Sequence, residues 1–172
     1  MRRLLSIVFL IGFGLQLAAE EEVPEVPFDR FYAGASALLL LPGNGTTLNR
    51  RAGGELRAGW YLAEDFAVEA QALWAEGLYG AGAGGLWHFF GYERFDPFLT
   101  FGVRGHFGDG RRFGDGRHRT AFGPCAGLGA FWHLTETCSL RADAVASLGF
   151  DSPCSMAYAL QLGVQWSFGG GE

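Results

Sequence analysis

The chain has 172 residues, of which 28 are glycine; aromatics make up 15% and charged residues only 18%. Its formal net charge is −5, and all 13 basic residues are arginine. This composition excludes a disordered polyelectrolyte, because an apolar share of 49% collapses; it excludes collagen, because the glycines have no three-residue period, and a nucleic-acid binder working by bulk positive charge.

In chain order, the first element is an export signal. Met1-Arg2-Arg3 is a short basic start, Leu4 to Leu17 is a nearly continuous apolar run, and Ala18-Ala19 precede Glu20-Glu21-Glu22. This is the order of a secretory signal peptide over residues 1–19, cleaved after Ala19. Residues 20–30 are acidic and Pro-containing and are expected to form a periplasmic lead-in. No later stretch is apolar and long enough for a spanning helix.

From Phe31 to Phe168 the apolar residues alternate with period two, the mark of half-buried strands. Eight segments follow one another: 31–41, 50–62, 66–75, 80–90, 97–107, 120–133, 137–148 and 156–168. In the third, Phe66, Val68, Ala70, Ala72 and Trp74 oppose Glu69 and Gln71. In the fifth, Leu99, Phe101, Val103 and Phe107 oppose Thr100, Gly102, Arg104 and His106. In the seventh, Leu140, Ala142, Ala144, Ala146 and Leu148 oppose Ser139, Arg141, Asp143 and Ser147. Strands of a sandwich run to about five or six residues. These are longer and suit tilted strands crossing a bilayer, about 9–11 residues each.

The connections alternate too. Those at Ala63–Asp65, Gly91–Asp96 and Leu134–Glu136 are tight, whereas Pro42–Asn49, Gly108–Arg119 and Gly149–Ser155 are longer. Gly77–Tyr79 is the short exception on the long side. Short turns on one side and long loops on the other describe an outer-membrane barrel with both termini in the periplasm. The reading is therefore all-β: an eight-stranded antiparallel up-and-down transmembrane β-barrel over residues 31–168, with residues 169–172 as a disordered tail.

The faces are assigned by what lipid tolerates. Aromatics at the strand ends (Phe31, Trp60, Phe66, Trp74, Trp87, Phe98, Trp132, Trp166 and Phe168) are expected to form outward girdles. Glu55, Arg57, Glu69, Arg104, Arg141 and Asp143 lie on the opposite faces. An arginine on the lipid face near the midplane costs roughly 2–4 kcal/mol, and a buried charge needs a partner. These six are thus expected to form an interior salt-bridge network. An eight-stranded barrel is only wide enough for side chains to fill, so a packed polar interior is expected, not an open pore. A lipocalin-like soluble barrel would require the aromatic face to point inward.

The last strand reads QLGVQWSF, Gln161 to Phe168. It resembles the C-terminal signal read by the outer-membrane barrel-assembly machinery, with Gln161, Gly163, Trp166 and Phe168 on its four positions. The signal usually ends the chain, whereas here Gly169-Gly170-Gly171-Glu172 follow. The stretches FYAGAS (Phe31–Ser36), FDPFLTFGVRG (Phe95–Gly105) and GLGAFWHLTETCSLRADA (Gly127–Ala144) resemble the small eight-stranded outer-membrane barrels of the OmpA and OmpX type. The resemblance implies an outer-membrane location and a structural or host-facing role. The peptidoglycan-binding domain that follows the barrel in full-length OmpA-type proteins is not expected here.

Loop 108–119 carries Arg111, Arg112, Arg117 and Arg119. The planar guanidinium fork suits phosphate, so contact with lipopolysaccharide phosphates is one expectation and a loop kept soluble by charge is the other. The GDG repeats of that loop lack the acidic ligands a hard cation needs; no metal or cofactor is expected. His133-Leu134-Thr135-Glu136 faintly resembles the catalytic arrangement of lipid A deacylases, but no serine is obviously placed beside it, so no enzyme activity is expected. Three cysteines, Cys125, Cys138 and Cys154, suggest no firm disulfide. The expected partners are outer-membrane lipids, lipopolysaccharide and, during biogenesis, the assembly machinery, with no nucleic acid and a monomeric state. A lipid A-modifying enzyme and a small passive channel remain the alternatives.

Overall fold

The computed structural model describes residues 31–44, 50–89, 94–108, 119–149 and 155–168. Eight strands run in order: β1 (Phe31–Pro42), β2 (Arg51–Ala63), β3 (Phe66–Ala75), β4 (Leu78–His88), β5 (Phe95–Gly108), β6 (Arg119–His133), β7 (Cys138–Leu148) and β8 (Met156–Phe168). Each pairs antiparallel with the next, and β8 returns to β1 to close the barrel. The seam is continuous, from Phe31 opposite Phe168 to Pro42 opposite Ala157. Closure leaves no unpaired edge, which is what allows a sheet to cross lipid.

Each strand lies within two residues of its expected position. The difference is largest at β4, which begins at Leu78 and not at position 80. The connection before it is a two-residue turn, Glu76-Gly77, because Ala75 pairs directly with Leu78. Both turn residues have positive φ, 40° and 83°. That is the signature of a type I′ turn, whose twist matches that of the flanking strands.

Alternation divides the strands into two surfaces. Among the described residues, no charged side chain lies on the outer face of a strand. Phe31, Trp60, Trp87, Trp166 and Phe168 are exposed around the turn side, and Trp74, Tyr79, Phe107, Phe122 and Tyr158 around the loop side. Between these two belts stand Leu56, Val68, Val103, Leu128, Leu160 and Leu162, also exposed. Phe98 corrects the expected girdle: it is fully buried inside the barrel. Leu99 and Phe101 face out, so period two sends Phe98 inward, where its ring lies 4.8 Å from that of Phe131.

The described lumen has an aliphatic cluster toward the loops, an aromatic one toward the turns, and a charged ring between them, with further polar side chains at both ends. Toward the loops, Leu38, Leu40, Leu73, Leu78 and Val145 pack with Ala75, Ala157 and Ala159. Toward the turns, Tyr32, Tyr61, Leu86, Phe98 and Phe131 pack with Ala67. The interior is thus mixed: the six charges expected to pair lie between an aliphatic cluster and an aromatic one. The glycine surplus also finds its place. In register, Arg57 faces Gly34, Arg104 lies between Gly82 and Gly123, and Glu69 lies between Gly59 and Gly84. Arg141 faces Gly163 and Asp143 faces Gly129. Each of these five charged residues has a glycine on at least one side, which leaves room for its side chain in the narrow core.

Candidate functional site

The middle layer is built from alternate inward positions of five strands. β2 supplies Glu55 and Arg57, β3 Glu69 and Gln71, β5 Arg104, β7 Arg141 and Asp143, and β8 Gln161. All six charged groups are 7% exposed or less. At that depth each needs partners, because an unpaired buried charge is expensive.

The partners form a closed circuit. Arg57 Nη2 donates to Glu55 Oε1 at 2.7 Å, and Arg57 Nη1 donates to Asp143 Oδ2 at 3.0 Å. Asp143 Oδ2 also accepts from Arg141 Nε at 3.1 Å, and Arg141 Nη1 donates to Glu69 Oε2 at 2.5 Å. Gln71 Nε2 donates to Glu69 Oε1 at 2.7 Å, and Gln71 Oε1 accepts from Arg104 Nη2. The same Arg104 nitrogen reaches back to Glu55 Oε2 at 3.3 Å. Three arginines, three carboxylates and one amide thus ring the lumen with no net charge.

Two further groups brace the ring. Gln161 Nε2 donates to Glu55 Oε2 at 2.7 Å while its oxygen accepts from Arg57. The hydroxyl of Tyr32 donates to Glu69 Oε2 at 3.0 Å. Arg141 also lies over the rings of Phe98 and Phe131, 4.7 and 5.2 Å from their centroids. It therefore joins the ion-pair ring to the aromatic layer beneath.

A second polar cluster sits at the turn-side end. Asp96 Oδ2 accepts from His88 Nδ1 at 2.5 Å and lies 4.0 Å from His133 Nε2. His133 Nδ1 and Ser139 Oγ are hydrogen-bonded at 2.7 Å. Four successive strands, β4 to β7, each contribute one member. His88 stacks on Phe131, with centroids 5.6 Å apart.

All six interior residues singled out in the sequence enter the ring. Gln71, Tyr32 and the bracing role of Gln161 carried no signal there, because uncharged polar residues on an inward face look like filler. Ser139, His88 and Asp96 were also missed as a group. Gly163 faces Arg141 inside the barrel, while Trp166 and Phe168 stand on the outer turn-side belt. Arg119 opens β6. Arg111, Arg112, Arg117 and Cys154, together with residues 1–30 and 169–172, lie outside the described residues. Cys125 and Cys138 are free thiols. No group of three metal-ligating side chains occurs among the described residues.

Three solved structures share this architecture. Neisserial surface protein A superposes with a TM-score of 0.64 at 17% identity, over 80% of this chain and 97% of its own. The fold is that of the small eight-stranded outer-membrane β-barrels. The N-terminal barrel of OprF from Pseudomonas aeruginosa superposes with a TM-score of 0.61 at 14% identity, over 80% of this chain and 97% of its own. Ail, the attachment invasion locus protein of Yersinia pestis, gives 0.55 at 14% identity, over 81% of this chain and 97% of its own. No protein-family model matches the chain, and no curated protein matches its sequence.

Proposed function

We propose that the protein is a non-enzymatic outer-membrane barrel with a closed lumen, serving a structural or surface-interaction role. The observation that carries this reading is the pairing of an uncharged, twice-girdled exterior with a neutral ring sealed across the interior. A water-soluble barrel of this size would not expose Leu56, Leu128 and Leu162 between two aromatic belts. The export signal at residues 1–19 and the terminal motif at Gln161, Gly163, Trp166 and Phe168 support delivery by the secretion and barrel-assembly machineries. The monomer contacts outer-membrane lipids through its belts and lipopolysaccharide phosphates through Arg111, Arg112, Arg117 and Arg119.

Two measurements test this. Membrane fractionation should recover the chain with the outer membrane, and recovery in the cytoplasm or periplasm would remove the reading. In planar bilayers the purified barrel should be silent, and steady single-channel steps would favour a passive pore. One observation favours a lipid-modifying enzyme, the contact between Ser139 and His133. Both residues point into the lumen under the aromatic layer, away from the surrounding lipid. Lipid A should therefore be the same with and without the protein.

A further inference from the structure

The outer face carries a groove on the turn-side half of β2, β3 and β4. Ala58 pairs with Ala70 and Ala70 with Ala83, so three methyl groups lie side by side across three strands. One row nearer the turns the side chains are large: Phe31 lies opposite Trp60, and Trp60 opposite Val68. All three are exposed, and with the alanine floor they bound a space of about 470 Å³. The floor continues one row toward the loops through Ala72 and Ala81, and it ends at Trp74 and Tyr79. Beyond the wall on the turn side stands the connection between β2 and β3. Its Glu64 and Asp65 are both exposed, and neither carboxylate has a partner among the described residues. Asp65 precedes Val68 by three residues, roughly 10 Å along an extended strand. Arg94, also on the turn side, lies away from the groove, 6.0 Å from the ring centroid of Trp132 on β6.

We propose that this groove holds one acyl chain of an inner-leaflet phospholipid whose headgroup ends in a primary ammonium, with Glu64 and Asp65 as the partners of that ammonium. The proposal rests on the outer-membrane reading above and names one lipid among those the belts touch. The short turns face the periplasm in a barrel of this kind, so a lipid entering beside the β2–β3 turn belongs to the inner leaflet. A floor of methyl groups lets the chain lie closer to the wall of the barrel than the leucines elsewhere on the outer face would, and every closer contact adds dispersion attraction. The headgroup end selects by charge. A primary ammonium donates charge-assisted hydrogen bonds to the two carboxylates. A quaternary ammonium has no N–H to donate, and an anionic headgroup meets like charge. The turn therefore rejects anionic lipids as well as attracting the favoured one.

Native mass spectrometry of the intact barrel tests this, after incubation in micelles with equal amounts of phosphatidylethanolamine, phosphatidylcholine and phosphatidylglycerol. One phosphatidylethanolamine should be retained, about fivefold over phosphatidylglycerol. The double variant Ala70→Leu, Ala83→Leu fills the floor and should lose the retained lipid, whereas Ala144→Leu on β7 should keep it. The double variant Glu64→Gln, Asp65→Asn should still retain a lipid but no longer prefer phosphatidylethanolamine. Circular dichroism confirms that each variant keeps the barrel. No lipid preference in the unaltered protein, retention after the floor is filled, or an unchanged preference without the carboxylates would overturn the site. Because the adduct is read on purified barrel, these outcomes are separate from membrane fractionation, which alone decides the outer-membrane reading.

Discussion

Arg57 and Asp143 meet across the lumen, 3.0 Å apart, although they stand on β2 and β7. Arg141, two residues before Asp143, reaches the other way to Glu69 of β3. These two cross-ties span the barrel from wall to wall. Backbone pairing alone joins only neighbouring strands, so the ties add stiffness of a different kind.

Arg141→Leu should therefore be the most damaging change in the ring. It leaves Glu69 and Asp143 buried without one of their cations and removes the contact with Phe98 and Phe131. Breaking a buried pair in this way costs about 3–5 kcal/mol. Gln71→Leu removes a neutral bridge between Glu69 and Arg104, each of which keeps an ionic partner, and should cost about 1–3 kcal/mol. Urea unfolding of the barrel in micelles compares the two.

The seam between β1 and β8 makes a steric prediction. A Cβ at Gly163 would come 2.2 Å from the carbonyl oxygen of Ala35 and 2.6 Å from Ser36 Oγ. Gly163→Val should destabilise closure by about 1–3 kcal/mol through overpacking. The yield of refolded barrel should fall with it, while Ala144→Val on the outer face should refold normally.

The turn at Glu76-Gly77 offers a stabilising change. Glu76 holds a φ of 40°, which costs an ordinary L-residue roughly 1–2 kcal/mol and asparagine less. Glu76→Asn should raise stability by about 0.5–1 kcal/mol, since Asn-Gly is the preferred type I′ pair. The bond from Arg51 Nη1 to the Glu76 carbonyl uses the backbone and survives the change. Thermal unfolding would register the gain.

The outer surface can be tested by charge. Leu128→Arg, between the two belts, should cost about 2–4 kcal/mol when the barrel is folded in lipid vesicles. A surface that faced water would tolerate the same substitution within about 0.5 kcal/mol.

Phe168→Ala separates assembly from stability. The ring stands on the exposed belt 5.9 Å from that of Phe31. If it serves the terminal signal, the variant should refold in micelles about as well as the parent yet accumulate poorly in the outer membrane of cells. Equal accumulation in cells would remove Phe168 from that role.

Strand number, order and faces were legible in the sequence because period-two alternation is a long signal repeated eight times. The charged ring was legible for a related reason: lipid forbids those groups on one face, so Arg57, Arg104 and Arg141 have only the other. Phe98 was misread because an aromatic near a strand end suits a girdle and an inner layer equally. Only its parity against Leu99 decides between them. The Ser139 cluster was not legible at all. Asp96 was assigned to a turn but lies in β5, between the strands that carry His88 and His133. Parity placed Gln71 and Ser139 on the polar face, but an uncharged side chain does not announce which partner it will take across the lumen.

The ring draws on β2, β3, β5 and β7, and its circuit of pairs closes only when all four are present. A barrel halted without β3 leaves Arg141 with Asp143 but no Glu69; one halted without β7 strips Arg57 of its cross-lumen acceptor. Each unfinished form therefore leaves a charged group short of a partner, which hydrocarbon penalises. The ring thus makes the buried charges a property of the completed set of strands, since no subset of the four holds every pair at once.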